Sequence, residues 1–307
     1  GDIALPFGGT GGGTISGFHS GGYSTAAPDY KNVIDKFSLT SSGNATDHGD
    51  LTVPRLMAGG SSSATHGYAG GGVVNGSNLV ATSIDKFAFA SSGNAVSHGN
   101  LSVKHGYTSG QSSSTHGYTS GGITGAPGEV KVIDKYAFSS NTTATDNGDL
   151  ILALVYASAS SSHTDGYTNG GGDAGIPGYY ANQIYKFSFA SAGNATDHGD
   201  LTVARGSAAG HSSMTHGYTA GGEPANNTID RYAFASSGNA TDHGDMSAGR
   251  SGNQRIGSSG TSSTTHGFSG GGTISNIIEK FAFASNTTAS DHGDLSVTRR
   301  QACGTQY

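Results

Sequence analysis

The sequence predicts an all-β propeller, because one short motif returns six times, its spacing stays near 50 residues, and the runs around it alternate apolar and polar residues. The motif reads Ile34-Asp35-Lys36-Phe37, Ile84-Asp85-Lys86-Phe87 and Ile133-Asp134-Lys135-Tyr136. It comes back, more altered, as Ile184-Tyr185-Lys186-Phe187, Ile229-Asp230-Arg231-Tyr232 and Ile278-Glu279-Lys280-Phe281. Successive second positions are separated by 50, 49, 51, 45 and 49 residues. The repeat fills the chain over residues 1–307, so a single domain is expected.

The fifth unit shows the expected four strands in order. Arg205 to Ser213 is rich in Gly, Ala and Ser and suits an innermost strand crowded around an axis. Thr215 to Gly222 is a second strand ending in a glycine pair. Thr228 to Ala235 alternates Ile229, Tyr232 and Phe234 at the period of a half-buried strand. Ser236 to Asp242 is rich in turn residues, which leaves Asp245 to Ala248 to carry the outer strand. Gly1-Asp2-Ile3-Ala4-Leu5-Pro6 echoes Gly49 to Pro54, and the chain closes by starting one more inner strand after Arg299. Six blades closed by joining the two ends is the reading, with a seventh blade as the alternative. The overlap also suggests an excerpt or processed product.

This order resembles the kelch repeat on three marks: an apolar run ending in Gly-Gly, an aromatic some ten residues later, and an outer strand leading to a basic residue. Gly221-Gly222, Tyr232 and Arg250 fit it, as do Gly71-Gly72, Phe87 and Lys104. The resemblance implies a kelch-type propeller of four-stranded antiparallel blades. The outer-strand Trp of that family is missing, since the chain has no Trp, and an Asp-x-Gly-Asp-Leu segment such as Asp47 to Leu51 stands in its place. The repeat wording is also similar to that of structural proteins of marine tailed phages.

Composition narrows the function classes. A net charge of −6 without a Lys/Arg cluster disfavours a nucleic-acid surface. No apolar run reaches the roughly 18 residues of a membrane span, so no membrane insertion is expected. One cysteine, Cys303, allows no internal disulfide.

Propeller geometry sorts the loops onto two faces. One carries uniform turns such as Thr65-His66-Gly67 and Thr215-His216-Gly217. The other carries divergent loops: Tyr23 to Lys31, Val73 to Thr82, Ile123 to Lys131, Asp173 to Asn182, Glu223 to Asn227 and Thr273 to Asn276. Tyr30, Tyr179 and Tyr180 lie there, with Pro28, Pro127 and Pro177. Divergent loops on a rigid scaffold are where recognition resides, so this is the expected binding face.

Each remaining cluster has a competing reading. His66, His116, His216 and His266 could offer a ring of imidazoles to zinc, but blades splay them, and a turn role is favoured. The Asn-Ala-Thr-Asp-x-Gly-Asp segments resemble calcium loops in composition but lack the ligand spacing, and Asp capping its own turn explains them more simply. The Asn-x-Thr triplets at Asn44, Asn141, Asn194, Asn239 and Asn286 are formal glycan acceptors. Arg55, Lys104, Arg205, Arg250 and Arg299 recur at the head of the inner strand. They either hold carboxylates at the channel mouth, as kelch proteins sometimes do, or pair with Asp35, Asp85 or Asp134 between blades. The fourth unit lacks both partners, with Leu152-Ala153-Leu154 and Tyr185, as a coupled pair would predict.

No catalytic arrangement, metal or cofactor is expected; Gly-x-Ser-x-Gly, His-Glu-x-x-His and a phosphate loop are absent. The expectation is a non-enzymatic binding or assembly module, extracellular or on a virion surface, with protein partners or self-assembly. Tyr30, Arg55, Lys104, Tyr179, Tyr180, Arg205, Arg250 and Arg299 are the candidate binding residues. A lectin or adhesin binding cell-surface glycan is the alternative, and an enzyme with a channel site is the third.

Overall fold

A computed structural model describes residues 16–74, 79–125, 128–173, 175, 178–224, 227–247, 257–272 and 275–306. Its strands form six four-stranded antiparallel sheets arranged as the blades of a β-propeller.

Blade 2 shows the unit: Gly59–Ser62 innermost, then His66–Gly70, Ser83–Ala88 and Val96–Asn100 outermost. Blade 3 begins at Ser109–Ser112, blade 4 at Ser158–Ser161, blade 5 at Ala209–Ser212 and blade 6 at Ser259–Ser262. Blade 1 is composite. Its second to fourth strands are Ser16–Ser20, Val33–Ser38 and Thr46–Asp50, while its innermost strand is Cys303–Gln306 from the other end of the chain. Cys303 faces Ser20 and Gln306 faces Gly17 in that pairing. The ring therefore closes at six blades, and the seven-bladed alternative falls. Gly1 to Pro6 lies outside the described residues.

The outer strand differs from expectation. In blade 5 it is Thr241–Asp245, so the Thr-Asp-His-Gly-Asp run is itself the strand rather than the turn before it. The reason is a β-bulge that the composition disguises. In blade 4, Ile184 faces Gly199 but Tyr185 faces Asp197, so His198 is the extra residue. Gly199 takes φ +146°, and the Asp197 carboxylate accepts its N–H at 3.1 Å.

The bulge aims a histidine into the next blade. His48 Nε2 donates to the Ala88 carbonyl at 2.7 Å, His98 to Ala137 at 2.9 Å, His198 to Ala233 at 2.8 Å and His243 to Ala282 at 2.9 Å. His292 closes the circle onto Ser38 at 2.6 Å.

Burial follows the same plan. Among the described residues the buried apolar side chains fall into six clusters, each filling one junction between blades. Phe18, Ile34 and Leu51 of blade 1, for example, pack on Phe87, Phe89 and Ala95 of blade 2.

Two hydrogen-bonded rings tie the inner strands together. On one side the N–H of Ser62 donates to Ser112 Oγ, Ser112 to Ser161, Ser161 to Ser212 and Ser212 to Ser262, at 2.9 to 3.1 Å. Ser262 donates to Gln306 Oε1, and Gln306 N–H returns to Ser62 Oγ. On the other side the blade-to-blade links form a backbone ring: Gln301 to Gly257, Gly257 to Ser207, Ser207 to Tyr156, Tyr156 to Tyr107, and Met57 back to Gln301. Thr108 N–H completes it onto Met57.

Between the rings the channel is narrow. A Cβ on Gly60, Gly110, Gly210, Gly260 or Gly304 would come within 2.0 to 2.3 Å of a neighbouring blade's carbonyl oxygen. One stretch of it is a space of about 110 Å³ lined by Gly, Ala, Ser and Cys303.

Candidate functional site

The second-to-third-strand loops and the blade links lie together on one rim, because they pair with each other. Arg55–Leu56 pairs with Val73–Val74, and single bridges join Gly106 to Ile123, Val155 to Gly172, Gly206 to Glu223 and Arg300 to Tyr23. Gly-Gly at the end of each second strand makes this possible. Gly71 has φ +67°, and a Cβ there would lie 2.3 Å from the His105 carbonyl of the incoming link.

The predicted basic residues are placed as follows. Arg55, Arg205 and Arg299 are fully buried within blade junctions. Each pairs with the acid of the third strand, Asp85 at 3.1 Å, Asp230 at 3.1 Å and Asp35 at 3.0 Å. The Arg55 guanidinium also donates to the Gly71 and Ser83 carbonyls, and that of Arg299 to the His19 carbonyl. Burial lowers the Arg299 guanidinium from its ordinary value, while Asp35 raises it. These three guanidinium groups stand inside the ion pairs that were the competing reading, away from the rim surface.

Lys104 is exposed, and the residue in register with Arg55 is its neighbour His105, whose Nε2 lies 3.5 Å from Asp134. Aligning on the basic residue alone misplaces this unit by one; aligning on Leu51 and Leu101, four residues earlier, corrects it. Arg250 lies outside the described residues. So does Arg255, which stands four residues before Ser259 as Arg205 does before Ala209.

The acids also cap the preceding blade's link. Asp85 accepts from Thr52 N–H and Oγ1, both at 2.8 Å, and Asp230 from Thr202 N–H and Oγ1, at 2.9 and 2.6 Å. The Thr-His-Gly turns are self-contained: Thr65 Oγ1 and His66 Nδ1 share a hydrogen bond of 2.7 Å, and Ser63 Oγ accepts the His66 N–H at 3.0 Å. Among the described residues no group of three His, Cys, Asp or Glu side chains is placed to hold a metal ion.

The tyrosines gather where the sequence placed two of them. Tyr179 and Tyr180 meet edge to face, with ring centroids 5.2 Å apart at 77°. Beside them lie Tyr107 and Tyr156, 4.9 Å apart at 74°. Glycines seat both pairs: the Tyr179 ring lies over Gly172, and Tyr180 and Tyr156 both pack on Gly206. Burial raises the Tyr156 phenol above its ordinary value and the neighbouring Tyr107 adds to the rise, while Glu223 is bridged to Gly206, on which the Tyr180 ring packs.

Tyr107 and Tyr156 belong to the backbone ring and take φ values of 61° and 59°, a left-handed conformation that costs about 1–2 kcal/mol for a non-glycine residue. They were missed because they open the inner strand, where the sequence shows mainly small residues. The usable signal was variation at one position of a uniform unit: Met57, Tyr107, Tyr156, Ser207 and Gln301.

Acids surround this cluster. The Tyr179 phenol is held above its ordinary value by burial and then by Glu129, Glu223 and Asp173. Tyr180 is pushed up to about 12 by burial and then by Glu223. Tyr30 lies on the blade 1 loop, edge to face with Tyr23 at 6.1 Å and 84°, and the Arg300 guanidinium lies 5.3 Å from the centre of the Tyr23 ring.

Among the described residues the rim thus joins a backbone ring, five short loop pairings and a block of four tyrosines. No protein-family model matches the chain, and no curated protein matches it.

Proposed function

We propose that this propeller is a non-enzymatic binding or assembly module that meets its partner through the loop rim, with Tyr30, Tyr107, Tyr156, Tyr179 and Tyr180 as the contact side chains. The observation that carries the reading is the contrast between the faces. The opposite turns repeat one hydrogen-bonded arrangement, whereas the rim loops diverge and expose Tyr179 to 36% of its surface. Kelch-type repeats and a relation to virion structural proteins remain part of this proposal, resting on the repeat wording. An extracellular or virion-surface location fits a fold that draws its stability from backbone rings and junction packing, with Cys303 alone and buried.

A protein partner or self-assembly is the primary reading. Glycan binding is the second, favoured by the exposed Tyr179 ring and its flanking carboxylates, since sugars stack on aromatic faces and donate to acids.

Hydroxyl-radical footprinting of the protein within its native assembly tests the face. Protection is expected at Tyr30, Tyr179 and Tyr180 and not at the Thr-His-Gly turns; protection confined to those turns would overturn the proposal. A glycan array, repeated with Tyr179→Ala, separates the two readings.

A further inference from the structure

The rim carries two edge-to-face tyrosine pairs in different electrostatic settings. On blade 1, Tyr23 and Tyr30 are joined by a cation of the chain itself, with the Arg300 guanidinium 5.3 Å from the centre of the Tyr23 ring. On blade 4, Tyr179 and Tyr180 have the same edge geometry but acidic company. Glu223 is bridged to Gly206, on which the Tyr180 ring packs, and Asp173, whose Oδ1 accepts the Gly175 N–H at 2.6 Å, follows directly on Gly172 beneath the Tyr179 ring. Neither acid forms an ion pair with a Lys or Arg among the described residues. Arg205, which precedes Gly206 in the chain, is buried in its pair with Asp230.

We propose that the Tyr107–Tyr156–Tyr179–Tyr180 cluster, with Glu223 and Asp173, is a receptor for a guanidinium or ammonium side chain presented by a partner protein. This rests on the binding reading above and gives it a ligand class. Aromatic faces carry negative charge density, and a partly desolvated cation gains from them and from adjacent carboxylates together. The phenols are pre-set: Tyr107 and Tyr156 are fixed by the backbone ring, and Tyr179 and Tyr180 by the bridge from Gly172 to Tyr180. Little ordering is left for the ligand to impose. A neutral sugar would use the same rings, but the negative charge of the neighbouring Glu223 and Asp173 favours a cation over a neutral ligand.

The test is a titration of the protein, carrying 13C-labelled tyrosine, with N-acetyl-arginine methylamide, N-acetyl-lysine methylamide and a neutral methyl galactoside, followed by NMR. Saturable shifts at Tyr179 and Tyr180 are expected with the two cations, weakened severalfold by added salt. Tyr179→Ala and Glu223→Gln should each reduce affinity at least about fivefold, whereas Met214→Ala, in an exposed turn of the opposite face, should leave it unchanged. Circular dichroism of each variant reports whether its fold is kept. Shifts with the galactoside alone would overturn the cation assignment while leaving the binding face intact. Cation binding that survives Tyr179→Ala would overturn the site, and footprints confined to the opposite face would overturn the underlying reading.

Discussion

The junction between blades 1 and 2 and the junction between blades 3 and 4 solve one packing problem in two ways. At the first, Arg55 is paired with Asp85, Thr52 donates twice to that acid, and His48 reaches across to the Ala88 carbonyl. At the second, the same positions hold Leu154, Tyr185, Ile151 and Asn147. Leu154 and Tyr185 join Leu150, Phe187 and Phe189 in one apolar cluster. What both junctions keep is backbone: Ala95 N–H donates to the Asp50 carbonyl at 2.7 Å, and Ala195 N–H to that of Asp149 at 2.8 Å. An ion pair and an apolar pair are therefore interchangeable fillings of a frame set by main-chain bonds. That agrees with the near balance between desolvation and attraction in buried pairs. The apolar junction is also the one beneath the tyrosine cluster, so the blade that departs most from the repeat carries the candidate site.

Breaking one filling without supplying the other gives the largest expected effect. Asp85→Ala leaves the Arg55 charge buried and strips Thr52 of its acceptor, and it should cost about 3–5 kcal/mol. The combined change Thr52→Ile, Arg55→Leu and Asp85→Tyr copies the blade 3–4 junction and should restore most of that loss. Urea denaturation of the two variants decides: if the triple variant is no more stable than Asp85→Ala, the two junctions are not equivalent.

This comparison also explains what could be read in advance. Six units, four strands per blade and ring closure by an inner strand at the C-terminal end were all legible, because each leaves a period or a composition. The coupled Arg–Asp pair was legible from its joint absence in unit four. The outer strand was not, because the Asp and Gly that occupy most of these bulges are also the residues that a turn favours. Lys104 was mistaken for the coupled base because neighbouring basic residues, Lys104 and His105, look alike without a register. The site was half visible: loop variability marked Tyr179 and Tyr180. Tyr107 and Tyr156 depend on the left-handed backbone of the links, which no local pattern announces.

Acid should open the ring unevenly. His19, at the junction of blades 6 and 1, is held at about 3 by burial and then by the Arg299 and His211 charges. His211, between blades 5 and 6, is held at about 4 by burial, against a hydrogen bond to the Thr261 carbonyl. Unfolded imidazoles titrate near 6.5, so below that pH the unfolded chain takes up protons that the folded chain refuses. Stability is therefore fully present above about pH 6.5 and falls on acidification, by at most about 1.4 kcal/mol per pH unit for each histidine, until the folded values are reached. The blade 3–4 junction uses Gln111 at the inner-strand position of His211, bonded to Thr168 and the Tyr167 carbonyl, and lacks this liability. Unfolding free energies measured at pH 7 and pH 5 should differ less in a His19→Gln, His211→Gln double variant. Amide exchange at pH 5 should rise first in blades 5, 6 and 1. An equal rise in blade 4 would break the distinction between junctions.

The smallest expected effect runs in the stabilising direction. Asn147 occupies the bulge position that holds His48, His98, His198, His243 and His292 in the other blades. It is buried, and neither its Oδ1 nor its Nδ2 finds a hydrogen-bond partner, whereas each of those histidines reaches the next blade's carbonyl. A shorter amide cannot span the gap that an imidazole bridges, so the junction carries the desolvation cost of the group without its return. Asn147→His should therefore gain about 1 kcal/mol, by making one inter-blade hydrogen bond and removing an orphaned amide. The reciprocal His48→Asn should lose a similar amount. If Asn147→His instead destabilises, the Leu154–Tyr185 cluster has drawn blades 3 and 4 too close for the larger ring, and the two junctions differ in spacing as well as in chemistry.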